Sequence, residues 1–296
     1  MSSSVSRQVS LALVTSTDFA ELHPDDAFLA VALRARAIEP VACVWSDPQV
    51  DWASFDALLI RTTWDYFQRH AEFMDWLTRI AELGVTIFNG IPLLRWNSDK
   101  AYLLELAAKG VEIIPTQIVA GRELERVMTN MRGEIVIKPT VSGGAWHTLR
   151  GCAGEPAFDD ALAALPAQLD YLIQPFVPEV VENGEWSLMF FAGHYSHAVL
   201  KRALPGDYRV QSTFGGSATL SDPGAAIIAT ARAILATVAA IGHADQAYVR
   251  VDGVMAHGRF VLMELEFIEP FLFLSLQPQA ADVFADQLAQ RLVRSV

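Results

Sequence analysis

Cysteine is scarce: Cys43 and Cys152 are the only two in 296 residues. That excludes a disulfide framework, and the expected compartment is the cytoplasm. Both cysteines sit beside small or apolar residues and read as structural. Positive charge is short as well. Lys and Arg number 22 against 34 Asp and Glu, a formal charge of −12. This balance argues against nucleic acid or an anionic membrane as a partner. An anionic ligand would need a local cluster of cations set against the global field. No run approaches the roughly 20 apolar residues of a membrane span, and the opening MSSSVSRQVS has no apolar signal core. The seven histidines show no metal-ligand spacing, and His147 and His257 read as loop residues. Internal repeats and low-complexity linkers are also missing.

What is present describes a globular chain with a large core. Hydrophobic residues make up 52% and charged ones 19%, over a length that suits two or three packed units. Val9 to Thr15 is a short apolar run and predicts a buried strand. Phe28, Val31, Ala32 and Ala35 have helical spacing within residues 24–37. Further strands are expected at Ile38 to Val44, Ala57 to Ile60 and Val85 to Phe88. An amphipathic helix from Glu72 to Leu83 is closed by Gly84. This alternation predicts an α/β unit, a parallel sheet with helices on both faces. Ligands of such sheets bind beyond the carboxyl ends of the strands. Thr15-Ser16-Thr17-Asp18 and Arg61-Thr62-Thr63-Trp64-Asp65-Tyr66 both leave strands there. In the second, Arg61 suits a carboxylate and Asp65 an ammonium, with Thr63 and Trp64 beside them. The alternative is a polar loop in which Arg61 pairs with Asp65 and Trp64 packs as core.

Downstream, Asn97-Ser98-Asp99-Lys100 caps a helix running to Lys109. Pro115 to Val119 is extended. Glu134 to Pro139 reads as a strand with Lys138 at its end, where an ammonium is costly unless it meets an anion. Ser142, Gly143 and Gly144 follow, either as a loop whose N–H groups cradle phosphate or as an ordinary hairpin turn. Tyr171 to Val177 is a strand. Glu185 to Phe191 and His194 to Leu200 form a hairpin. Lys201, Arg202 and Arg209 supply the local cationic cluster. Ala225 to Ile241 is an alanine-rich helix. Gln279 to Val293 is an amphipathic helix with Val283, Phe284, Leu288 and Leu292 on one stripe. Between these helices, residues 248–270 read as a hairpin around Ala256-His257-Gly258. Glu264 and Glu266 share a strand face, and Asp252 joins it only if the hairpin loop has odd length or carries a bulge; a three-residue loop with Gly258 at positive φ would do it. Such a face is either a solvated acidic strand or a site for a hard divalent cation.

The order of these motifs, over roughly residues 97 to 295, resembles the ATP-grasp superfamily of carboxylate–amine ligases. The segment GDYRVQSTFGGSA is similar to the basic segment of the glutathione synthetase and ribosomal-protein glutamate ligase branch. Glu264 to Pro270 resembles that branch's Glu-x-Asn-x-x-x-Pro signature, with Glu266 in place of the Asn. The length and the Arg-Thr-Thr-Trp-Asp loop also look like the cyclo-ligase of cycloserine biosynthesis. The resemblance implies three units: residues 1–97 as a pre-ATP-grasp substrate domain, 98–177 as a central lid, and 178–296 as an antiparallel catalytic domain. It implies ATP on Lys100, Lys138, Ser142, Gly143 and Gly144. Gln174, Phe176 and Val177 would hold adenine, with Glu179 and Glu185 also at the nucleotide. Mg²⁺ would sit on Asp252, Glu264 and Glu266. Arg209 and Lys201 would be catalytic, and Gln211, Gly215, Gly216 and Ser217 would face the substrate beside the Arg61 to Asp65 loop. The implied partners are a small carboxylate and an amine, joined through an acyl phosphate, and the family suggests a homodimer. Other outcomes are an O-ureidoserine-type cyclo-ligase, a kinase that stops at phosphoryl transfer, or a nucleotide-binding scaffold.

Overall fold

The computed structural model describes residues 8–295. Its first unit is a parallel sheet of β1 (Val9–Thr15), β2 (Ile38–Val44), β3 (Ala57–Thr62) and β4 (Thr86–Ile87), in the order β2-β1-β3-β4. Leu11 to Val14 and Ala57 to Ile60 are buried on both faces, as a doubly covered parallel sheet requires. Helix α1 (Asp26–Arg34) links β1 to β2, and α2 (His70–Leu83) links β3 to β4. Phe73, Trp76, Leu77 and Ile80 form the buried stripe of α2, and Gly84 ends it at φ +67°. On α1 the buried face is Leu29, Ala30, Ala32 and Leu33, whereas Phe28 and Val31 are exposed. The expected Phe28/Val31 stripe is therefore the wrong face. Leu29 and Leu33 occupy the same 3.6-residue period one step on, and they meet β1 and the last helix.

Two short helices, α3 (Ile91–Asn97) and α4 (Tyr102–Ala108), lead out of the first unit. A second, antiparallel sheet is ordered β5-β8-β6-β7, from β5 (Gln117–Ala120), β6 (Glu134–Pro139), β7 (Leu149–Cys152) and β8 (Asp170–Pro175). Helices α5 (Leu124–Met128) and α6 (Pro156–Ala163) cover one face through Leu124, Met128, Phe158 and Leu162.

The third sheet is also antiparallel, in the order β11-β10-β9-β12-β13. After the one-turn α7 (Glu179–Glu182) come β9 (Glu185–Phe191), β10 (His194–Arg202) and β11 (Ser217–Leu220). Helix α8 (Gly224–Ala240), β12 (Tyr248–Ala256), β13 (Arg259–Glu266) and α9 (Gln279–Ser295) complete the fold. Helix α9 buries Phe284, Leu288 and Leu292 in one core with Leu11, Leu29, Phe191 and Tyr248, so the first and third units share packing. Val283 lies off that stripe and is exposed.

The β12–β13 turn differs from expectation. It is a two-residue turn, His257 at φ +51° and Gly258 at +77°, the type that joins tight hairpins. Asp252 still faces Glu264, because a bulge at Met263 shifts the register by one. Gly253 sits beside that bulge, and a Cβ there would stand 2.4 Å from Phe260 Cζ.

Candidate active site

One face of the third sheet carries a row of charge built by cross-strand pairing. Lys201 lies opposite Glu185, Ser187 opposite Asp252, Asp252 opposite Glu264, and Arg250 opposite Glu266. Period-two alternation places all of them on one side. Lys201 Nζ pairs with Glu185 Oε1 at 2.5 Å and with Asp252 Oδ2 at 3.5 Å. Arg250 grips Asp252 with two prongs, Nε to Oδ1 at 2.9 Å and Nη2 to Oδ2 at 2.8 Å, and also pairs with Glu266. Ser187 Oγ donates to Asp252 Oδ1 at 2.5 Å.

Two lysines meet this face from other elements. Lys100, just before α4, pairs with Glu264 at 3.2 Å and donates to the Ser142 carbonyl of the glycine loop. Lys138, on β6, is half-buried, and no hydrogen bond or ion pair reaches its ammonium among the described residues. Burial pulls its pKa down, against the attraction of Glu264, and neighbouring Lys100 lowers it further. Glu269 completes the group. Burial and the nearby Glu266 hold its carboxyl well above the usual range.

Burial pushes Glu266 up to about 8 despite Arg250, with Asp252 and Glu264 adding repulsion. Asp252 falls to about 2, because Arg250 and Lys201 outweigh its burial. The expected metal set is thus rearranged. Both oxygens of Asp252 are spent on Arg250, Lys201 and Ser187, and Arg250 stands between Asp252 and Glu266. Among the described residues no three acidic, His or Cys side chains stand at metal-binding spacing.

The loop after β3 is also repurposed. Arg61 is buried, with Nε on Asp26 Oδ1 at 2.8 Å and Nη2 on the Pro270 carbonyl at 3.0 Å, so its two-pronged face is already engaged and only Nη1 is without a partner among the described residues. It does not pair with Asp65 either. Asp65 accepts from Trp45 Nε1 at 2.8 Å and faces Arg69 at 3.6 Å, rather than holding an ammonium. Trp64 is half-buried and donates to the Glu269 carbonyl at 2.9 Å. Thr63 is buried with its hydroxyl unpaired.

Among the described residues no hydrogen bond or ion pair joins Arg209 to Asp252, Glu264 or Glu266. Arg209 makes a two-pronged pair with Asp207, which holds that carboxyl below its usual range, and lies 3.7 Å over the Phe214 ring. The basic stretch is therefore no cluster: Lys201 is buried, Arg202 exposed and Arg209 tied to Asp207. Gln211 accepts at its carbonyl from Gly216 N, and Gly216 has no room for a Cβ, which would stand 2.1 Å from Val210 O. Among the described residues no hydrogen bond, ion pair or ring contact joins Gln211, Gly215, Gly216 or Ser217 to the Arg61–Asp65 loop.

At the other end of the second sheet, Gln174 is buried and donates to Thr116 Oγ1 at 2.8 Å. Phe176 N–H extends the sheet to the Glu134 carbonyl, and its ring is covered by the Arg150 guanidinium at 3.6 Å. The Phe176 carbonyl and the Val177 N–H have no hydrogen bond among the described residues, and they point to opposite sides of the trans peptide they share. Glu179 lies 4.0 Å from the His257 ring.

Comparison with known proteins fixes the family. Cycloserine biosynthesis protein DcsG of Streptomyces lavendulae is 35% identical over 299 residues, covering 95% of this chain and 98% of that protein. The chain belongs to the DcsG family. Residues 11–89 match the family described as the N-terminal domain of D-cycloserine synthetase DcsG. The crystal structure of D-cycloserine synthetase DcsG superposes with a TM-score of 0.83 at 33% identity, over 96% of this chain and 99% of that one. A D-alanine–D-alanine ligase from Bacillus anthracis superposes at 0.65 and 13% identity, over 97% and 98%, and shares the fold. A RimK domain ATP-grasp protein from Sphaerobacter thermophilus superposes at 0.67 and 17% identity, over 94% and 99%, so the chain has the fold seen in ATP-grasp proteins and its fold class is the expected one. Among the described residues no helix is long and apolar enough to cross a membrane.

The sequence reading missed Arg250, Ser187 and Glu269. Arg250 was within reach: it precedes Asp252 by two residues on a strand, so it had to share that face. Nothing local marked Ser187, whose role comes from pairing across β9 and β12.

Proposed function

We propose that the protein is an Mg-ATP-dependent cyclo-ligase acting on an O-ureidoserine-type amino acid. The carboxylate takes the γ-phosphoryl group of ATP, releasing ADP. A nitrogen of the same molecule then attacks the acyl carbon, loses a proton and expels phosphate. The observation that carries this reading is Lys138, a half-buried cation without a partner, beside Lys100 and facing Glu264. An ammonium in that setting is built for an anion, and the triphosphate is the anion that ATP-grasp ligases bring.

Lys138 and Lys100 would hold phosphate oxygens, and the Ser142 to Gly144 loop would shut water out of the site. The unbonded Phe176 carbonyl would accept from the adenine amino group. Arg250, fixed by Asp252, and Lys201, fixed by Glu185, present cations that need no reorganisation as charge develops. Arg209 could join them only by leaving Asp207 and Phe214. For Mg²⁺ the oxygen donors fit. Glu264 has one oxygen unspent, and the excess acidity around Glu266 and Glu269 is what a divalent cation relieves. Binding through two carboxylates plus substrate phosphates is usual for this ion. Glu264 and Glu266 would hold it, and Asp252 would anchor the neighbouring cations. Bound there, the ion would neutralise phosphate charge as a Lewis acid.

The test is ADP release with O-ureidoserine, followed by mass analysis of the product and trapping with hydroxylamine. A cyclic product, or a hydroxamate in its place, supports the reading. A stable phosphorylated substrate would make the protein a kinase. Release that needs a separate amine would make it an intermolecular ligase.

A further inference from the structure

The strand order β2-β1-β3-β4 reverses direction between β1 and β3. A crevice outside the carboxyl ends of strands at such a reversal is where open α/β sheets take their ligands. Here the two strand ends are tied together, Thr15 Oγ1 to Thr62 Oγ1 at 2.6 Å. Beside these strand ends stand half-buried aromatic rings in mutual contact. Trp64 meets Phe19 at 4.9 Å, His23 at 5.3 Å and Phe271 at 6.3 Å between centroids, and His23 meets Phe271 at 5.2 Å.

His23 is the one member of this ring with a polar edge to spare. Its Nδ1 accepts from the Asp25 backbone N–H at 3.1 Å, so the neutral imidazole carries its proton on Nε2. Nε2 makes no hydrogen bond among the described residues. The ring cannot easily turn, because aromatic rings flank it and its own loop is pinned. Asp25 accepts from Leu274 N at 2.9 Å and Ser275 N at 2.8 Å, which clamps residues 23–25 to the chain that follows the acid strand. Two further donors at the same strand end are unspent. The Thr63 hydroxyl and Arg61 Nη1 are both buried without a partner. Buried polar atoms rarely stay unpaired in the working state of a protein.

We propose that His23 is a substrate-orienting residue, its Nε2–H donating to a carbonyl or carboxylate oxygen of a small amino-acid derivative lying against the outer side of the Phe19, Trp64 and Phe271 cluster. The inference rests on the ligase reading above and assigns the end of the substrate remote from the phosphates. Trp64 links the two ends, since its Nε1 holds the carbonyl of Glu269 beside the acid face.

Three variants test it, with O-ureidoserine as probe and a non-hydrolysable ATP analogue as control. His23→Phe keeps the aromatic ring and removes the donor. It should lower kcat/KM for O-ureidoserine by about tenfold, the scale of one hydrogen bond, with analogue affinity and Tm unchanged. His23→Gln, whose amide nitrogen can reach the position of Nε2, should recover much of the loss. His23→Asn, too short to do so, should not. Equal kcat/KM in wild type and His23→Phe overturns the assignment and leaves the ligase reading standing. So does a loss in which analogue affinity falls in step. Wild-type protein that releases no ADP with any carboxylate overturns the ligase reading, and this inference with it.

Discussion

The ring of Phe67 lies against the backbone of Gly143: a Cβ built at Gly143 would stand 2.7 Å from Phe67 Cε1. Trp146, three residues on, meets the same ring at 5.6 Å. The loop after β3 is thereby packed on the glycine loop, which Lys100 holds through the Ser142 carbonyl. Placement of the Ser142 to Gly144 loop therefore depends on a side chain from the first unit.

Gly143→Ala should push the loop off Phe67. We expect KM for ATP to rise several-fold, while Phe67→Ala in the same chain restores part of it by making room. A double-mutant cycle on ATP affinity reads the coupling, which for side chains in contact is about 0.5–3 kcal/mol. Additive effects would mean that the two do not touch in the working enzyme.

Arg61 and Asp26 are both buried, and their pairing joins β3 to the start of α1. Arg61→Ala leaves a buried carboxylate without its cation, a loss of about 3–5 kcal/mol in comparable pairs. We expect a large fall in the urea midpoint. The double variant Arg61→Ala/Asp26→Ala should be less destabilised than Arg61→Ala alone. A single variant with a wild-type midpoint and a raised substrate KM would return Arg61 to the substrate site.

This pair also shows what the sequence could and could not reveal. Period-two and 3.6-residue patterns placed β1, β3, α2 and the β12–β13 hairpin, because each reports burial by neighbours close in sequence. Lys138 was legible for the same reason, as a charge closing an apolar run. Arg61 was not, because its partner lies 35 residues away and its second contact is a backbone carbonyl at Pro270. The alignment of Asp252 with Glu264 came from a bulge at Met263, the second of the two expected routes, because the turn itself has two residues rather than three. Arg209 failed differently. Asp207, two residues before it, was a visible partner, yet family analogy aimed the arginine at the phosphates.

His197 ties β10 to the chain carrying Phe271. Its ring nitrogen Nε2 lies 2.9 Å from the Leu272 carbonyl and donates to it. Burial lowers its pKa, more than that carbonyl raises it. The unfolded chain, with an imidazole near 6.5, then takes up the proton first as pH falls. Stability from this group is present above about pH 6.5 and lost as pH falls through the lower folded value. Wild type should lose more Tm between pH 7 and pH 5 than His197→Gln. Calorimetric scans at the two pH values decide it, and parallel losses would show that His197 is not buried in its neutral form.

Lys138 gives opposite effects on binding and on folding. Its ammonium has no hydrogen bond or ion pair among the described residues, so burial disfavours the charged form. In the window between its lowered folded pKa and about 10.4 the unfolded state holds more protons, and this group's contribution to stability rises with pH. Lys138→Met keeps the apolar stem and removes the charge. The apo variant should melt at the same temperature as wild type or higher at pH 7. Its affinity for a non-hydrolysable ATP analogue should fall by about 1–3 kcal/mol, the range for a charge-assisted hydrogen bond. Titration calorimetry and thermal melting on one preparation measure both. Unchanged affinity would mean that phosphate lies elsewhere. A markedly lower apo Tm would mean that Lys138 serves the fold before the ligand.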